Sequence, residues 1–120
     1  MFDNITNVKV ALNGVYRLMY MQYSDQEQDG HPAIMIVMDF MGEDIVHTAA
    51  GTSYFRGAYK WTDHRSDSND LPYFAYRMYY RIIANVNRIL GGVDTVPGAT
   101  DAEKDAIKGE CLALRAWAHH

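Results

Sequence analysis

Residues 100–120, TDAEKDAIKGECLALRAWAHH, predict an amphipathic helix that runs to the last residues of the chain. Thr100 and Glu103 have the spacing of a capping box, in which each side chain accepts a hydrogen bond from the other residue's backbone N–H. Six residues then recur at helical spacing and share one face of the helix: Ala106, Ile107, Glu110, Cys111, Leu114 and Trp117. No glycine, asparagine or proline follows Trp117 to end the helix. We therefore expect this face to pack against further chain, and interpret residues 1–120 as the N-terminal part of a larger helical domain.

A second long helix is predicted directly before the final one. Its apolar stripe consists of Leu71, Phe74, Met78, Ile82, Val86 and Ile89. We expect Asp70 to cap its start, Pro72 to lie in its first turn, and Gly91 and Gly92 to end it in a left-handed conformation. The last two helices then form a hairpin, the unit from which tetratricopeptide-like arrays are built.

The chain before residue 42 predicts two more helices. The first extends from about Asn4 or Thr6 to about Met21, because Val8, Leu12, Val15, Tyr16 and Met19 recur at helical spacing. Gly14 interrupts this helix at a cost of about 1 kcal/mol relative to alanine. We attribute that glycine to the close approach of a neighbouring backbone.

Residues 24–30 are polar and predict a connector to the second of these helices. That helix is expected to begin near Pro32 and to contain the apolar run of residues 33–41. A buried strand is the alternative for so short a run, but its methionine and alanine content favours a helix.

Residues 43–69 show neither a period of 2 nor a period of 3.6, and they predict one long irregular loop. In a compact domain such a stretch is usually either functional or disordered, and its interleaved aromatic residues argue against disorder. The predicted fold class is therefore all-α, with tetratricopeptide-like helical hairpins and one long irregular loop that contains aromatic residues.

Three segments resemble signatures of the SusD/RagB family, and they occur in that family's order. Residues 109–117, GECLALRAW, resemble its Gly-Glu-Ala-x-x-Leu-Arg-Ala-aromatic signature. Residues 80–90, YRIIANVNRIL, resemble its Tyr-x-x-Ile-x-x-Ala/Cys-Asn-x-x-Leu segment, and residues 11–16, ALNGVY, its Ala-x-x-Gly-x-Tyr. The family comprises surface-exposed, nutrient-binding lipoproteins of the Bacteroidetes outer membrane, several times longer than this chain.

The resemblance implies non-catalytic binding of a glycan or other nutrient outside the cell, and its delivery to a SusC-like TonB-dependent transporter. Full-length members carry a signal peptide and a lipidated cysteine, and neither is found in residues 1–120. Membrane association is therefore expected only through a lipid anchor outside this chain. The matched motif residues are expected to be structural: Gly14, Tyr16, Asn85, Asn87, Glu110 and Arg115. We expect an amide of Asn85 or Asn87 to bond a neighbouring backbone, and Glu110 and Arg115 to join a buried network between helices.

Candidate ligand-binding residues come from chemistry rather than from the family motifs. Sugar rings stack their apolar faces on aromatic side chains, while polar side chains bond their hydroxyl groups. Trp61, Tyr59 and Tyr54 lie in the irregular segment, with Asn69 nearby, and are the residues we select; covering the helix ends is the alternative role. The tyrosines at residues 73–80 could also form such a platform, but we expect Tyr76 and Tyr80 to lie with Phe74 across the core and its boundary.

Several classes of function are disfavoured. The formal net charge of −4 argues against nucleic acid, and no run of about 18 apolar residues predicts a membrane span. His31, His47 and His64 are isolated, none belongs to a His-x-x-x-His pair, and the adjacent His119 and His120 point apart on a helix. No phosphate-binding loop or nucleophile motif is present, so no metal, no cofactor and no enzymatic activity are predicted. The competing hypothesis is a helical-repeat module for protein–protein interaction without ligand binding; a helical enzyme domain is a weaker third.

Overall fold

The computed structural model describes residues 2–51 and 53–120, and its regular secondary structure there is helical apart from one isolated bridge, Gln22–Asp29. The five α-helices are α1 (Ile5–Leu18), α2 (Gly30–Met41), α3 (Arg56–Tyr59), α4 (Asp70–Leu90) and α5 (Asp101–His119). Three short 3-10 turns accompany them: Gln26–Gln28, Asp63–Arg65 and Val93–Thr95. The predicted all-α class is confirmed.

The chain forms two compact units. One unit consists of the chain up to Leu18 together with Tyr79–His120, and the other of Met19–Met78. Below they are called the hairpin unit and the loop unit. The hairpin unit contains the segments that match the family signatures, and the loop unit contains the irregular segment.

The core of the hairpin unit is formed by residues of the predicted helical stripes together with Leu18, Ile83, Val93 and Val96, which the stripes did not include. Its buried side chains are Val8, Leu12, Val15, Leu18, Ile82, Ile83, Val86, Ile89, Val93, Val96, Ile107, Cys111 and Leu114. Helices α4 and α5 contact each other side by side: the rings of Tyr79 and Trp117 meet edge to face with 5.5 Å between their centroids. On α5 the predicted stripe is too wide, because Ala106 and Glu110 are exposed and the buried face centres on Cys111.

Two predicted helix-end signals of α4 are wrong. Asp70 is the first helical residue rather than the cap; Asn69 caps the helix, because its Oδ1 accepts the backbone N–H of Leu71 at 2.8 Å. Among the described glycines, positive φ occurs at Gly30 and Gly98 and not at residues 91–92. Helix α4 ends by tightening into the 3-10 turn at Val93–Thr95, so a left-handed residue is not required there.

The predicted reason for Gly14 is also wrong in the part of the chain that the structure describes. A Cβ placed on Gly14 meets no atom within 4 Å, and the residue is exposed. Helix α1 itself begins at Ile5, behind a hydrogen bond from Asn7 N to Asn4 Oδ1 of 2.9 Å, and ends at Leu18 rather than near Met21.

The capping box at the start of α5 is present, and it yields a testable prediction. Thr100 Oγ1 accepts from Glu103 N at 3.3 Å, and Glu103 Oε2 accepts from Thr100 N at 3.1 Å. Thr100→Ala is expected to lower the free energy of unfolding by about 1 kcal/mol at neutral pH. These hydrogen bonds from Thr100 lower the pKa of Glu103, so its share of the stability is present above the ordinary carboxyl pKa and is lost as the pH falls through the lowered one. In urea denaturation, the difference in the free energy of unfolding between wild type and Thr100→Ala should therefore become smaller in acid. A difference that is constant with pH would contradict this account.

The loop unit is more regular than the sequence predicts. Helix α2 is confirmed as a helix, beginning two residues before Pro32. The segment 43–69, expected to be wholly irregular, contains α3 and the turn Asp63–Arg65. The connector before α2 also folds back on itself, because Tyr23 N donates to Gln28 O at 3.0 Å, and the Gln28 side chain is buried.

Candidate functional site

The irregular segment of the loop unit is anchored by an aromatic cluster at the end of α2. The ring of Phe40 lies 6.3 Å from that of Phe55 and 6.2 Å from those of His47 and Tyr59, between centroids. His47 and Tyr59 lie 6.1 Å apart with 30° between their planes. The cluster fixes the ring of Tyr59 at one edge while leaving it 41% exposed, as a binding surface requires.

Three of the described non-glycine residues in this segment have left-handed backbone conformations, and the first of them is Glu43, with a φ of 65°. Phe55 has a φ of 57° immediately before α3, and Trp61 has a φ of 61° shortly after it. Each such conformation costs about 1–2 kcal/mol and persists only where its surroundings hold it. Glu27 Oε1 accepts the backbone N–H of Phe55, and the carboxylate of Asp63 occupies the space where a side chain at Gly57 would lie. Strained positions of this kind concentrate at binding sites.

The four predicted ligand residues lie in this unit but do not share one cavity. Tyr54, Tyr59 and Trp61 are 42%, 41% and 43% exposed, and the ring of Trp61 meets His64 edge to face at 5.6 Å. Tyr59 lines one cavity of the unit, whereas Asn69 lines another, where its side-chain oxygen is engaged as the cap of α4. Neither Tyr54 nor Trp61 is among the residues that line these two cavities.

The cavity that Asn69 lines is acidic. It has a volume of 230 Å³ and is lined by Asp25, Glu27, Gln28, Phe55, Ala58, Asp63, Ser68, Asn69, Asp70 and Leu71. Carboxylate and amide oxygens are good acceptors for sugar hydroxyl groups, so the lining has the chemistry to bind a polyol. Within the described residues, no group of three or more histidine, cysteine, aspartate or glutamate side chains is placed to hold a metal ion.

The cavity that Tyr59 lines is basic, and the sequence analysis did not predict it. It has a volume of 390 Å³ and is lined by His47, Thr48, Ala49, Gly51, Ser53, Arg56, Tyr59 and Lys60. A signal was available in the sequence, because Arg56 and Lys60 are four residues apart and flank Tyr59. The two cations lie in a segment without a longer helical period, and this hides their helical spacing.

The tyrosines of α4 are more exposed than predicted. Phe74 is buried as expected, but Tyr76 and Tyr80 are 62% and 49% exposed rather than at the boundary of the core, and Tyr73 is 63% exposed. At about 100° per residue, positions 73, 76 and 80 lie within about 60° of one another and about 100–160° away from Phe74 around the helix. Within the loop unit, Tyr73 and Tyr76 therefore form a tyrosine face of α4 that is an alternative aromatic platform.

The motif residues of the hairpin unit bond between and within helices. Tyr16 Oη on α1 donates to Glu110 Oε2 on α5 at 3.1 Å, and Arg115 Nη1 donates to Asn87 Oδ1 on α4 at 2.9 Å. Asn85 Nδ2 donates to a backbone carbonyl one turn earlier in α4 at 2.7 Å. Partial burial and the hydrogen bond to the Glu110 carboxylate raise the pKa of Tyr16. The network is exposed, so the expectation that it is buried is wrong.

Comparison with known proteins places the chain in a family. The SusD-like family model described as "Starch-binding associating with outer membrane" matches residues 3–120. The chain belongs to the SusD-like family. This confirms the resemblance carried by residues 11–16, 80–90 and 109–117.

A solved structure agrees with this assignment. The crystal structure of a SusD-like carbohydrate-binding protein from Bacteroides vulgatus ATCC 8482 superposes with a TM-score of 0.80 at 25% sequence identity. The match covers 98% of this chain and 24% of that one, so the SusD-like chain spans about a quarter of the length of its structural relative. No curated protein matches the sequence significantly. No helix within the described residues is long and apolar enough to span a membrane.

Proposed function

We propose that this SusD-like chain takes part in non-catalytic binding of a glycan at the cell surface and in its delivery to a TonB-dependent outer-membrane transporter. The observation that carries the proposal is the presence of three half-exposed aromatic side chains, Tyr54, Tyr59 and Trp61, in one segment of a SusD-like chain. The family description names starch binding and the outer membrane, and the structural relative is described as carbohydrate-binding. Both descriptions support a glycan as the ligand.

The proposed mechanism is capture by stacking and hydrogen bonding. The exposed faces of Tyr59 and Trp61 receive the apolar faces of sugar rings, because an aromatic ring buries much surface at little entropic cost. The carboxylates of the acidic cavity accept hydrogen bonds from hydroxyl groups of the glycan. The bound glycan then passes to the transporter, for which the protein acts as an extracellular lid, and the helical hairpins face that partner. No step makes or breaks a covalent bond.

Titration calorimetry with a panel of oligosaccharides tests the proposal. The panel contains maltoheptaose, xylohexaose and galacturonate hexamer. We expect at least one member to bind, and Trp61→Ala and Tyr59→Ala each to weaken that binding about tenfold through the lost stacking contact.

The matched control for this test is Tyr73→Ala, which removes a more exposed aromatic side chain of the same unit from α4. It should bind like the wild type. Loss of binding in the control alone would place the platform on the tyrosine face of α4. Absence of binding to every member of the panel would contradict the proposed function.

A protein-interaction role is the second candidate, and one observation favours it. Met35 and Met38 are 53% and 64% exposed, and their spacing of three makes them neighbours on the surface of α2. Exposed methionine side chains are common on surfaces that bind other proteins. If the panel gives no binding while Met35→Gln/Met38→Gln changes the oligomeric state measured by light scattering, this candidate replaces the first.

A further inference from the structure

We propose that the basic cavity beside Tyr59 binds the negatively charged group of an acidic glycan, the carboxylate of a uronic acid or the sulfate of a sulfated sugar. The inference rests on the proposed function, and it names the class of glycan that the loop unit accepts. It is carried by what the cavity collects around one aromatic ring: Arg56, Lys60 and His47, together with the hydroxyl groups of Thr48 and Ser53.

The first step is the availability of the two cations. Within residues 2–51 and 53–120, the side chains of Arg56 and Lys60 make no ion pair and no hydrogen bond. None of the described residues that line the cavity is acidic. Both side chains are exposed, so their donors are free to meet a ligand without first breaking an internal salt bridge. A guanidinium group offers paired N–H donors that match a carboxylate or sulfate in a bidentate contact.

The second step is the contrast with the other cavity of the same unit. Asp25, Glu27, Asp63 and Asp70 line that cavity, and no lysine or arginine does so among its described lining residues. Charges of the two signs are therefore sorted into separate cavities, although the chain as a whole carries a formal net charge of −4. A neutral glycan gains only hydrogen bonds to its hydroxyl groups from these two cations, whereas an anionic glycan is also attracted by their charge and is repelled by the acidic cavity.

The third step is the position of Tyr59 within the basic cavity. The ring is fixed by contacts with Phe40 and His47 and is still 41% exposed. In the chain, Arg56 precedes Tyr59 and Lys60 follows it, and the two cations are separated by about one helical turn. A pyranose ring stacked on Tyr59 would thus carry its charged substituent within the reach of both cations.

The experiment compares charged oligosaccharides with their uncharged counterparts. Galacturonate hexamer is paired with its methyl ester, and a carrageenan hexasaccharide with its desulfated form, so each pair differs in charge but keeps the same backbone. We expect at least one acidic member to bind about tenfold or more tightly than its neutral partner, and high salt to reduce that preference. Preference within the first pair identifies a carboxylate ligand, and preference within the second identifies a sulfate ligand.

A double variant and a matched control locate the effect. Arg56→Gln/Lys60→Gln should abolish the preference for charge, by lowering the affinity for the acidic member to about that for its neutral partner. Arg17→Gln/Arg81→Gln removes the same two charges from the hairpin unit and should retain the preference. An equal loss in both double variants would show a general charge effect and would overturn the inference.

The remaining outcomes separate the inference from the proposed function. If neutral oligosaccharides bind and their acidic partners bind no better, the inference is wrong and the glycan-binding function stands. If neither acidic nor neutral oligosaccharides bind, the proposed function itself fails.

Discussion

Replacing Phe74 by alanine is expected to lower the free energy of unfolding by about 3–5 kcal/mol, the range for removing a fully buried phenylalanine. Phe74 is 1% exposed and meets the ring of Tyr23 in a T-shaped contact with 5.3 Å between centroids. Truncation removes both the buried apolar surface and this aromatic contact, and it leaves a cavity that its neighbours fill only in part. Urea denaturation followed by circular dichroism measures the effect.

The adjacent residue provides the control for the Phe74 variant. Tyr73→Ala removes a side chain of similar size from the same turn of α4, but Tyr73 is 63% exposed. Its effect should stay within about 0.5 kcal/mol, as for most surface substitutions. Similar losses in the free energy of unfolding for the two variants would contradict the burial of Phe74 and the exposure of Tyr73.

Gly30→Ala is expected to lower the free energy of unfolding by more than about 3 kcal/mol, from two additive causes. Gly30 has a φ of +61°, which costs a residue with a Cβ about 1–2 kcal/mol. The added Cβ would also overlap the backbone carbonyl of Met19 and lie 2.9 Å from Tyr20 N. That carbonyl accepts the N–H of His31 at 2.8 Å, so the backbone has little freedom to move away.

Two other glycines separate these causes in the same denaturation assay. Gly98 has a φ of +69° but has no described atom within 4 Å of an added Cβ, so Gly98→Ala should show only the conformational cost of about 1–2 kcal/mol. Gly14 lies in a helix with open space around it, so Gly14→Ala should stabilise the protein by about 1 kcal/mol through helix propensity. Equal losses for Gly30 and Gly98 would mean that the close approach to Met19 contributes nothing.

The helices of the hairpin unit were predictable because their signals are local and repeated. Thr100 and Glu103 cap α5 as their spacing predicts, and the apolar period of α4 identifies its buried side chains from Phe74 to Ile89 except Ile83. The helix ends were less predictable, since neighbouring residues compete for one role. Asn69 and Asp70 are both good capping residues, and only the backbone geometry shows that Asn69 takes the position.

The loop unit was predicted poorly because its structure depends on contacts distant in sequence. Helix α3 has four residues, too few for an apolar period to be recognised. The start of α3 is held by Glu27, which lies before α2 in the chain and accepts the backbone N–H of Phe55. Phe55 and Tyr59 also pack on Phe40. The same contacts create the basic cavity, so the sequence identified the aromatic residues of the candidate site but not the cations beside them.

The exposure of the tyrosines on α4, by contrast, follows from a local pattern in the sequence. The sequence contains the information that Tyr73, Tyr76 and Tyr80 point away from Phe74, because the helical period fixes their angles. Residue type alone does not decide the position of these side chains, since tyrosine is intermediate in its tendency to be buried. Where period and residue type disagree, the period proved the better guide in this helix.

The most direct test of glycan binding uses the two tryptophans of the chain. Trp61 lies in the loop unit, and Trp117 lies in the hairpin unit against Tyr79, so their indole N–H resonances report on separate places in one NMR spectrum. Titration with maltoheptaose, and then with the acidic hexamers, should shift the resonance of Trp61 in proportion to binding while leaving that of Trp117 unchanged. A shift confined to Trp117, or no shift of either resonance with any of these oligosaccharides, would contradict the proposed site.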